Sequence, residues 1–253
     1  MKITVLGSGT SSGVPTIGCD CAVCTSADRR DNRLRPSLLV THEDRNIVID
    51  TTPDFREQVL RARLTHLDAV VYTHAHADHI LGLDDVRPFN YRQRAPIPLY
   101  ASEPTFAVIR RVFDYAFDAR QHTSHVPKLD VHLITEEPFE VAGLQFEAIP
   151  VLHGKAIVFG FRFGNVAYLT DHSEVPESSM AKLQNLDILF LDALRHKPHP
   201  THSTVAASVV IAERLKPSRT YFTHICHDLG HAETEASLPP GIFLAYDGLE
   251  LEA

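Results

Sequence analysis

The chain has 253 residues, of which 44% are hydrophobic and 22% are charged, and its formal net charge is −8. Folding at this length buries roughly 75% of the surface of the unfolded chain, so one domain can hold a large core. No apolar run approaches the ~18 residues that a membrane span needs, and no stretch rich in Lys and Arg marks a nucleic-acid interface. These features exclude membrane spanning, disfavour nucleic acid as a partner and favour a small anionic substrate.

The first apolar stretch, residues 3–6, ends at Gly7 and is too short for the core of a signal peptide. We therefore expect a cytoplasmic protein. The sequence leaves the oligomeric state open, including a homodimer.

Short apolar runs bounded by turn residues, rich in β-branched and aromatic side chains, predict strands. They cover residues 3–6, 37–40, 47–50, 69–73, 98–101, 144–150, 158–163, 166–170, 188–192 and 220–223. Apolar residues at helical spacing, three times after a proline, predict helices at 53–63, 104–115, 176–184 and 203–215.

The last of these helices begins at Ser203 or Thr201. Segment 84–96 is polar and aromatic and predicts an irregular loop, either one that contacts substrate or an ordinary surface connection. No internal repeat or flexible linker divides the chain. The pattern favours one α/β domain over residues 1–253.

A dense group of metal-ligand side chains follows the predicted strand at 69–73. It comprises His74, His76, Asp78 and His79, four residues within six positions. Alternate residues of an extended segment share a face, so His74 and His76 can bind one ion. Asp78 and His79 are adjacent and need a turn or helix to reach a neighbouring ion. Imidazole and carboxylate suit zinc, iron or manganese, and so many ligands indicate two metals about 3.5–4 Å apart.

Further ligands are expected at the ends of other strands. His153, Asp171 and His224 each follow an apolar run that predicts a strand. Singly, each would more often be an ordinary polar residue at a strand end. Together with the cluster at 74–79 they form a consistent ligand set.

A second group of ligands lies in a Cys-rich loop at 13–30. Cys19, Cys21 and Cys24 lie within six residues, and in a reducing compartment metal binding is favoured over a disulfide. Three thiolates and one imidazole would close a tetrahedral structural zinc site. His227 and Cys226 both remain open as the fourth ligand, and buried or redox-active thiols remain the alternative to zinc.

The motif at 74–79, with the later histidine, aspartate and final histidine, resembles the metallo-β-lactamase superfamily across nearly the whole chain. The resemblance implies a four-layer αββα sandwich with a dinuclear site at one edge. It further implies that His74, His76 and His153 bind the first metal, that Asp78, His79 and His224 bind the second, and that Asp171 bridges them.

The Cys-rich loop together with a His-x-x-His sequence near the end resembles one branch of that superfamily. This branch contains the phosphodiesterase of the carbon-phosphorus lyase pathway. The resemblance implies that His227 and the three cysteines bind a structural zinc. It also implies a catalytic role for His202, which orients the substrate phosphate or protonates its leaving oxygen, although a surface histidine is the alternative.

Two other positions bear on the site. By the same resemblance Asp50 supports the ligands from behind, although it could be a simple turn residue. His172 follows Asp171 where relatives carry a small residue, which leaves the shape of the pocket and the substrate open.

The function expected from these residues is hydrolysis of small phosphodiesters, such as cyclic phosphates of ribose or nucleotides. A hydroxide shared by two Mn²⁺ or Zn²⁺ ions would attack, with Asp78 and His202 as catalytic residues. Alternatives are an acyl hydrolase (a lactonase or thioesterase), a tRNA 3′-processing endonuclease, disfavoured by the charge of −8, and a non-catalytic binding or carrier protein of cofactor biosynthesis.

Overall fold

The computed structural model describes residues 1–118 and 126–253. Its strands are Lys2–Gly7 (β1), Ser37–His42 (β2), Arg45–Ile49 (β3), Ala69–Val71 (β4), Ile97–Ser102 (β5), Leu129–Ile134 (β6), Phe139–Val141 (β7), Leu144–His153 (β8), Ala156–Phe163 (β9), Val166–Leu169 (β10), Ile188–Asp192 (β11), Arg219–Thr223 (β12), Ile242–Leu244 (β13) and Glu250–Glu252 (β14).

The helices alternate with these strands along the chain. They are Phe55–Arg61 (α1), Ala77–Ile80 (α2), Arg87–Gln93 (α3), Glu103–Val112 (α4), Asp114–Phe117 (α5), Glu177–Lys182 (α6), Val205–Leu215 (α7) and His231–Ser237 (α8), with 3-10 turns at Arg29–Asp31 and Leu83–Val86. None of the helices in the described ranges is long and apolar enough to cross a bilayer.

The strands form two sheets of seven strands each. Their orders are β14-β1-β2-β3-β4-β5-β6 and β13-β12-β11-β10-β9-β8-β7. Both sheets are mixed: β3 to β6 run parallel in the first, and β10 to β13 run parallel in the second. Parallel neighbours present their carboxyl ends at the same edge of a sheet, and ligands commonly bind there.

Three apolar clusters separate four layers. One cluster joins the facing sides of the two sheets, and its members include Val40 from the first and Phe161 from the second. Another packs α1, α3 and α4 on the outer face of the first sheet, with Phe55 as a fully buried member. The third packs α6 and α7 on the outer face of the second sheet. This arrangement confirms the expected αββα sandwich.

Most predicted elements are present with shifted ends. Helix α7 begins at Val205, and its N-terminal cap is Thr204, whose hydroxyl accepts from the amide of Ala207, rather than Ser203 or Thr201. Strands β6, β7, β13 and β14 were not predicted. They lie at or near the sheet edges, where β6 and β14 expose about half of their side chains and so lack an apolar run.

The prediction of an irregular loop at 84–96 was wrong. These residues form most of the 3-10 turn Leu83–Val86 and all of α3, which has Pro88 in its first turn and buries Phe89 and Asn90. The amide of Asn90 bonds the backbone of Ala95 and Lys128. This helix is stabilised by the tertiary contacts of Phe89 and Asn90. The polar composition of the segment gives no sign of these contacts, so the sequence predicts a loop.

Phe161 tests the importance of the core between the sheets. Its side chain is fully buried against other aromatic rings, so we expect Phe161→Ala to lower the free energy of unfolding by about 3–5 kcal/mol. Ile157 on the same strand is 69% exposed, and Ile157→Ala should change the free energy of unfolding by less than about 0.5 kcal/mol. Urea unfolding of both variants measures the difference; equal effects would contradict this account of the core.

Candidate metal centre

Three residues turn the chain sharply where buried strands end. Asp50, Asp171 and His224 follow β3, β10 and β12, and each adopts a left-handed conformation, with φ of 65°, 53° and 59°. Such conformations are uncommon outside glycine, although Asp and His tolerate them best, and they concentrate at functional sites. The turns direct these side chains to the edge where the two sheets meet.

The first group of ligand atoms comes from β4, α2 and β8. His74 follows β4, His76 precedes α2 and His153 ends β8. With Asp171 they form a set whose nitrogen and oxygen atoms lie within 4.8 Å of one another. The Nε2 of His74 and the Nδ1 of His76 are 3.0 Å apart.

The second group adjoins the first and shares one carboxylate with it. Asp78 and His79 lie in α2, so of the expected turn or helix the structure has a short helix. Their ligand atoms, with those of His224 and Asp171, again lie within 4.8 Å of one another. Since Asp171 belongs to both groups, the geometry suits two ions that are bridged by its carboxylate.

The imidazoles are oriented by buried hydrogen bonds. Asp50 accepts from the Nδ1 of His79 at 2.8 Å and from the hydroxyl of Thr73 at 2.7 Å. That hydroxyl in turn lies 3.0 Å from the Nδ1 of His74. In both rings Nδ1 contacts this buried network and Nε2 lies in a ligand group, which is the usual arrangement of metal-binding histidines.

The electrostatics also fit bound cations. Burial opposes charge on His79, but the carboxylates of Asp171 and Asp50 outweigh it and raise the pKa well above its usual value. The same balance raises the pKa of His224 to about 9. The Nε2 atoms of both rings are buried without a hydrogen-bond partner among the described residues. Divalent ions would satisfy these nitrogens and neutralise the carboxylates.

His202 lies beside the second group. Its ring stacks on that of His224 with centroids 4.5 Å apart, and its Nδ1 lies 2.6 Å from the buried carboxylate of Asp192. Asp192 was not singled out from the sequence. Asp192 is the last residue of the apolar strand β11, and Asp171 follows β10 closely. An aspartate at the end of an apolar run, the pattern that identified Asp171, could therefore have identified Asp192 as well.

His172 does not line the pocket. Its side chain is fully buried, and neither ring nitrogen has a hydrogen-bond partner in the described part of the chain. Burial lowers its pKa to about 4, so the ring is neutral.

The four side chains of the second predicted metal site also converge. The Nδ1 of His227 lies 3.2, 3.5 and 3.6 Å from the sulfurs of Cys19, Cys21 and Cys24. The Cys226 sulfur instead accepts from the amide of Asp228 and is outside this group. The geometry favours His227 over Cys226 as the fourth ligand.

Comparison with known proteins identifies the family. Residues 45–225 match the family model described as a beta-lactamase superfamily domain. The chain belongs to this superfamily. A solved structure described as a new diphosphatase from the PhnP family is 56% identical to this chain, with a TM-score of 0.93. The match covers 99% of this chain and 96% of that structure's chain. The chain matches this PhnP-family protein over nearly its whole length in both sequence and fold.

Other relatives carry different names. A Porphyromonas gingivalis protein named octanoyltransferase is 37% identical over 254 residues, which is 99% of this chain and 51% of that protein. Coenzyme PQQ synthesis protein B of Methylorubrum extorquens is 32% identical over 130 residues, 45% of this chain and 42% of the relative. The chain thus spans about half the length of these curated relatives. Zn²⁺-bound PqqB from Methylobacterium extorquens, 23% identical with a TM-score of 0.79 and full coverage of both chains, shares the fold.

The raised pKa values predict that protons leave when metal binds. At pH 7 the metal-free protein carries protons on His79 and His224, whereas burial lowers the pKa of His74 and His153 and keeps them neutral. Binding of Mn²⁺, which prefers these ligands to thiolates, should release protons, and its affinity should rise with pH up to about 9. Calorimetry in buffers of different ionisation enthalpy measures the release; its absence at pH 7 would contradict the assignment.

Two cysteine variants test the second cluster. Cys21→Ala removes one of the three convergent thiols, so purified protein should contain one zinc fewer and melt at a lower temperature. Cys226→Ala is the matched control and should keep its zinc content. Elemental analysis with thermal unfolding compares them; loss of zinc from Cys226→Ala alone would reverse the choice between His227 and Cys226.

Proposed function

We propose that this chain is a dinuclear phosphodiesterase that hydrolyses small phosphodiesters, such as cyclic phosphates of ribose or nucleotides. The observation that carries the proposal is the pair of ligand groups sharing Asp171, with the imidazole of His202 beside them. The 56% identical neighbour described as a diphosphatase supports chemistry at phosphorus.

The metals and the residues have separate tasks. Two divalent ions, Mn²⁺ or Zn²⁺, would polarise a phosphoryl oxygen and make a water molecule nucleophilic at neutral pH. His74, His76 and His153 would hold one ion, Asp78, His79 and His224 would hold the other, and Asp171, which belongs to both groups, would serve both. Asp78 is thus catalytic as a ligand, and Asp50 fixes the orientation of His79.

His202 serves the leaving group. Its Nδ1–H donates to the buried carboxylate of Asp192, which fixes the orientation of the ring. As the general acid, the ring would give a proton from Nε2 to the leaving oxygen, as in other general acids that are oriented by a carboxylate. Asp192 is fully buried and bonded to the amide of Leu194 as well, so it holds the ring in one orientation.

The Cys cluster has a structural task in this proposal. Four protein ligands close a tetrahedral zinc and leave no position for water. His227 lies three residues after His224, so the zinc would fix the segment that also supplies a ligand to the catalytic ions.

An acyl hydrolase is the second candidate. The Porphyromonas gingivalis relative is named for octanoyl transfer, but this chain matches only half of it. Activity on octanoyl thioesters or lactones above that on phosphodiesters would favour this candidate. Metal-replete protein without activity on any ester would favour a carrier role, which the relatives named for PQQ synthesis suggest.

His202→Ala tests the proposed general acid. We expect turnover of adenosine 2′,3′-cyclic phosphate to fall by about 10²–10⁴-fold, because its alkoxide leaving group needs a proton. Bis(4-nitrophenyl) phosphate has a weakly basic leaving group and should be affected much less. Metal content should be unchanged.

His196→Ala is the control, because His196 is exposed on the same loop and should leave turnover as in the parent. Equal losses of His202→Ala on both substrates would show that His202 does not protonate the leaving group. Unchanged turnover on both would remove it from the mechanism.

A further inference from the structure

A cavity of about 440 Å³ lies between the two sheets, at the edge where β5 and β6 end. The first sheet contributes Ser102, the last residue of β5, and Ile134, the last residue of β6. The second sheet contributes Phe159 of β9. Ligands of α/β sheets commonly bind at this kind of edge, outside the carboxyl ends of parallel strands.

Backbone hydrogen bonds place this cavity next to the first ligand group. The amide of Tyr72 donates to the carbonyl of Tyr100 at 2.9 Å, which pairs the ends of β4 and β5. The amide of Phe159 donates to the carbonyl of Thr73 at 3.2 Å, which joins β9 to the residue before His74. Neighbouring strands are about 4.8 Å apart. The cavity therefore begins within one strand spacing of the segment that carries His74.

The inner part of the cavity is apolar and partly aromatic. Ile134 is buried and Phe159 is half-buried. Ile134 is a member of the core cluster between the sheets, and Phe159 packs against that cluster. The core thus holds both side chains in place before any ligand binds. A preformed surface of this kind favours an apolar or aromatic group.

The outer part of the cavity is acidic. Its lining includes the exposed residues Glu103, Glu136 and Glu137. The carboxylate of Glu136 lies 3.7 Å from the ammonium of Lys182, which offsets only part of this charge. The N-terminus of α4 adjoins the cavity, but the hydroxyl of Ser102 caps it and Glu103 lies in its first turn. An anionic group is therefore disfavoured here, and an uncharged ring is favoured.

We propose that this cavity is the subsite for the substituent that stays on phosphorus, and that it takes the uncharged base of a nucleoside. The inference rests on the proposed function and narrows it: diesters of nucleosides are preferred to those of small or anionic alcohols. The cavity adjoins the first ligand group, whereas His202 stacks on His224 of the second. A diester bound across both groups would place its leaving oxygen toward His202 and its other substituent toward Phe159.

Two chromogenic esters share a leaving group and differ in the alcohol that is retained. This alcohol is a nucleoside in thymidine 5′-(4-nitrophenyl phosphate) and methanol in methyl 4-nitrophenyl phosphate. The metal-replete parent should hydrolyse the nucleoside ester with a kcat/KM about 5- to 100-fold higher, the range for one base stacked on an aromatic ring.

Phe159→Ala should remove most of this preference. Its kcat/KM should fall about 5- to 100-fold on the nucleoside ester and less than about threefold on the methyl ester. Phe159→Leu keeps an apolar side chain against the core but loses the ring, so it should show the same selective loss with a melting temperature near that of the parent. Ile157→Ala is the matched control, because Ile157 is exposed two residues earlier on the same strand, and it should match the parent on both esters. Metal content should be unchanged in all three variants.

Binding of thymidine 5′-phosphate, measured by calorimetry, is a readout that does not depend on turnover. Phe159→Leu should raise its Kd about 5- to 100-fold and leave the Kd of methyl phosphate unchanged, because only the nucleotide has a base.

The outcomes separate the two proposals. Equal kcat/KM of the parent on the two esters, a preference for the methyl ester, or equal losses of Phe159→Leu on both would overturn the base subsite and leave the phosphodiesterase in place. A metal-replete parent that hydrolyses neither ester would overturn both.

Discussion

A single buried carboxylate holds the site together. Asp50 follows β3, is fully buried, and accepts hydrogen bonds from the amide and hydroxyl of Thr73 and from His79. These partners belong to the segment after β4 and to α2, which carry the cluster of ligands at 74–79. An unpaired charge at this depth would be very costly, so the carboxylate and its donors fix one another. The positions of His74 and His79 depend on this contact.

On the opposite side of the site, a second buried ion pair fixes the segment after β12. Arg33 is almost fully buried, pairs with Asp31, and donates to the carbonyls of Cys226 and Leu229. It therefore ties the region after the Cys-rich loop to the stretch between His224 and His231. Asp50 thus joins the end of β3 to residues 73–79, and Arg33 joins the region after the Cys-rich loop to residues 226–229.

Burial changes across the site. Asp171 and the ligand residues around it are buried, except for the exposed His76, whereas His202 is partly exposed. The imidazole and carboxylate groups at the buried end suit divalent ions. Substrate suits the outer end, where His202 meets solvent.

The sequence by itself determined the ligand types and much of the fold class. The motif at 74–79 and the polar residues at the ends of apolar runs are local signals, because a strand must be apolar until it leaves the core. The roles of Asp192 and Arg33 were decided only by the tertiary structure, since each acts on residues that its own neighbourhood in sequence does not indicate. The same is true of α3, whose polar composition predicts a loop although Phe89 and Asn90 are buried in a helix. For the cysteine cluster, the spacing left Cys226 and His227 open and the resemblance implied His227, which is the residue that the fold brings to the three thiols.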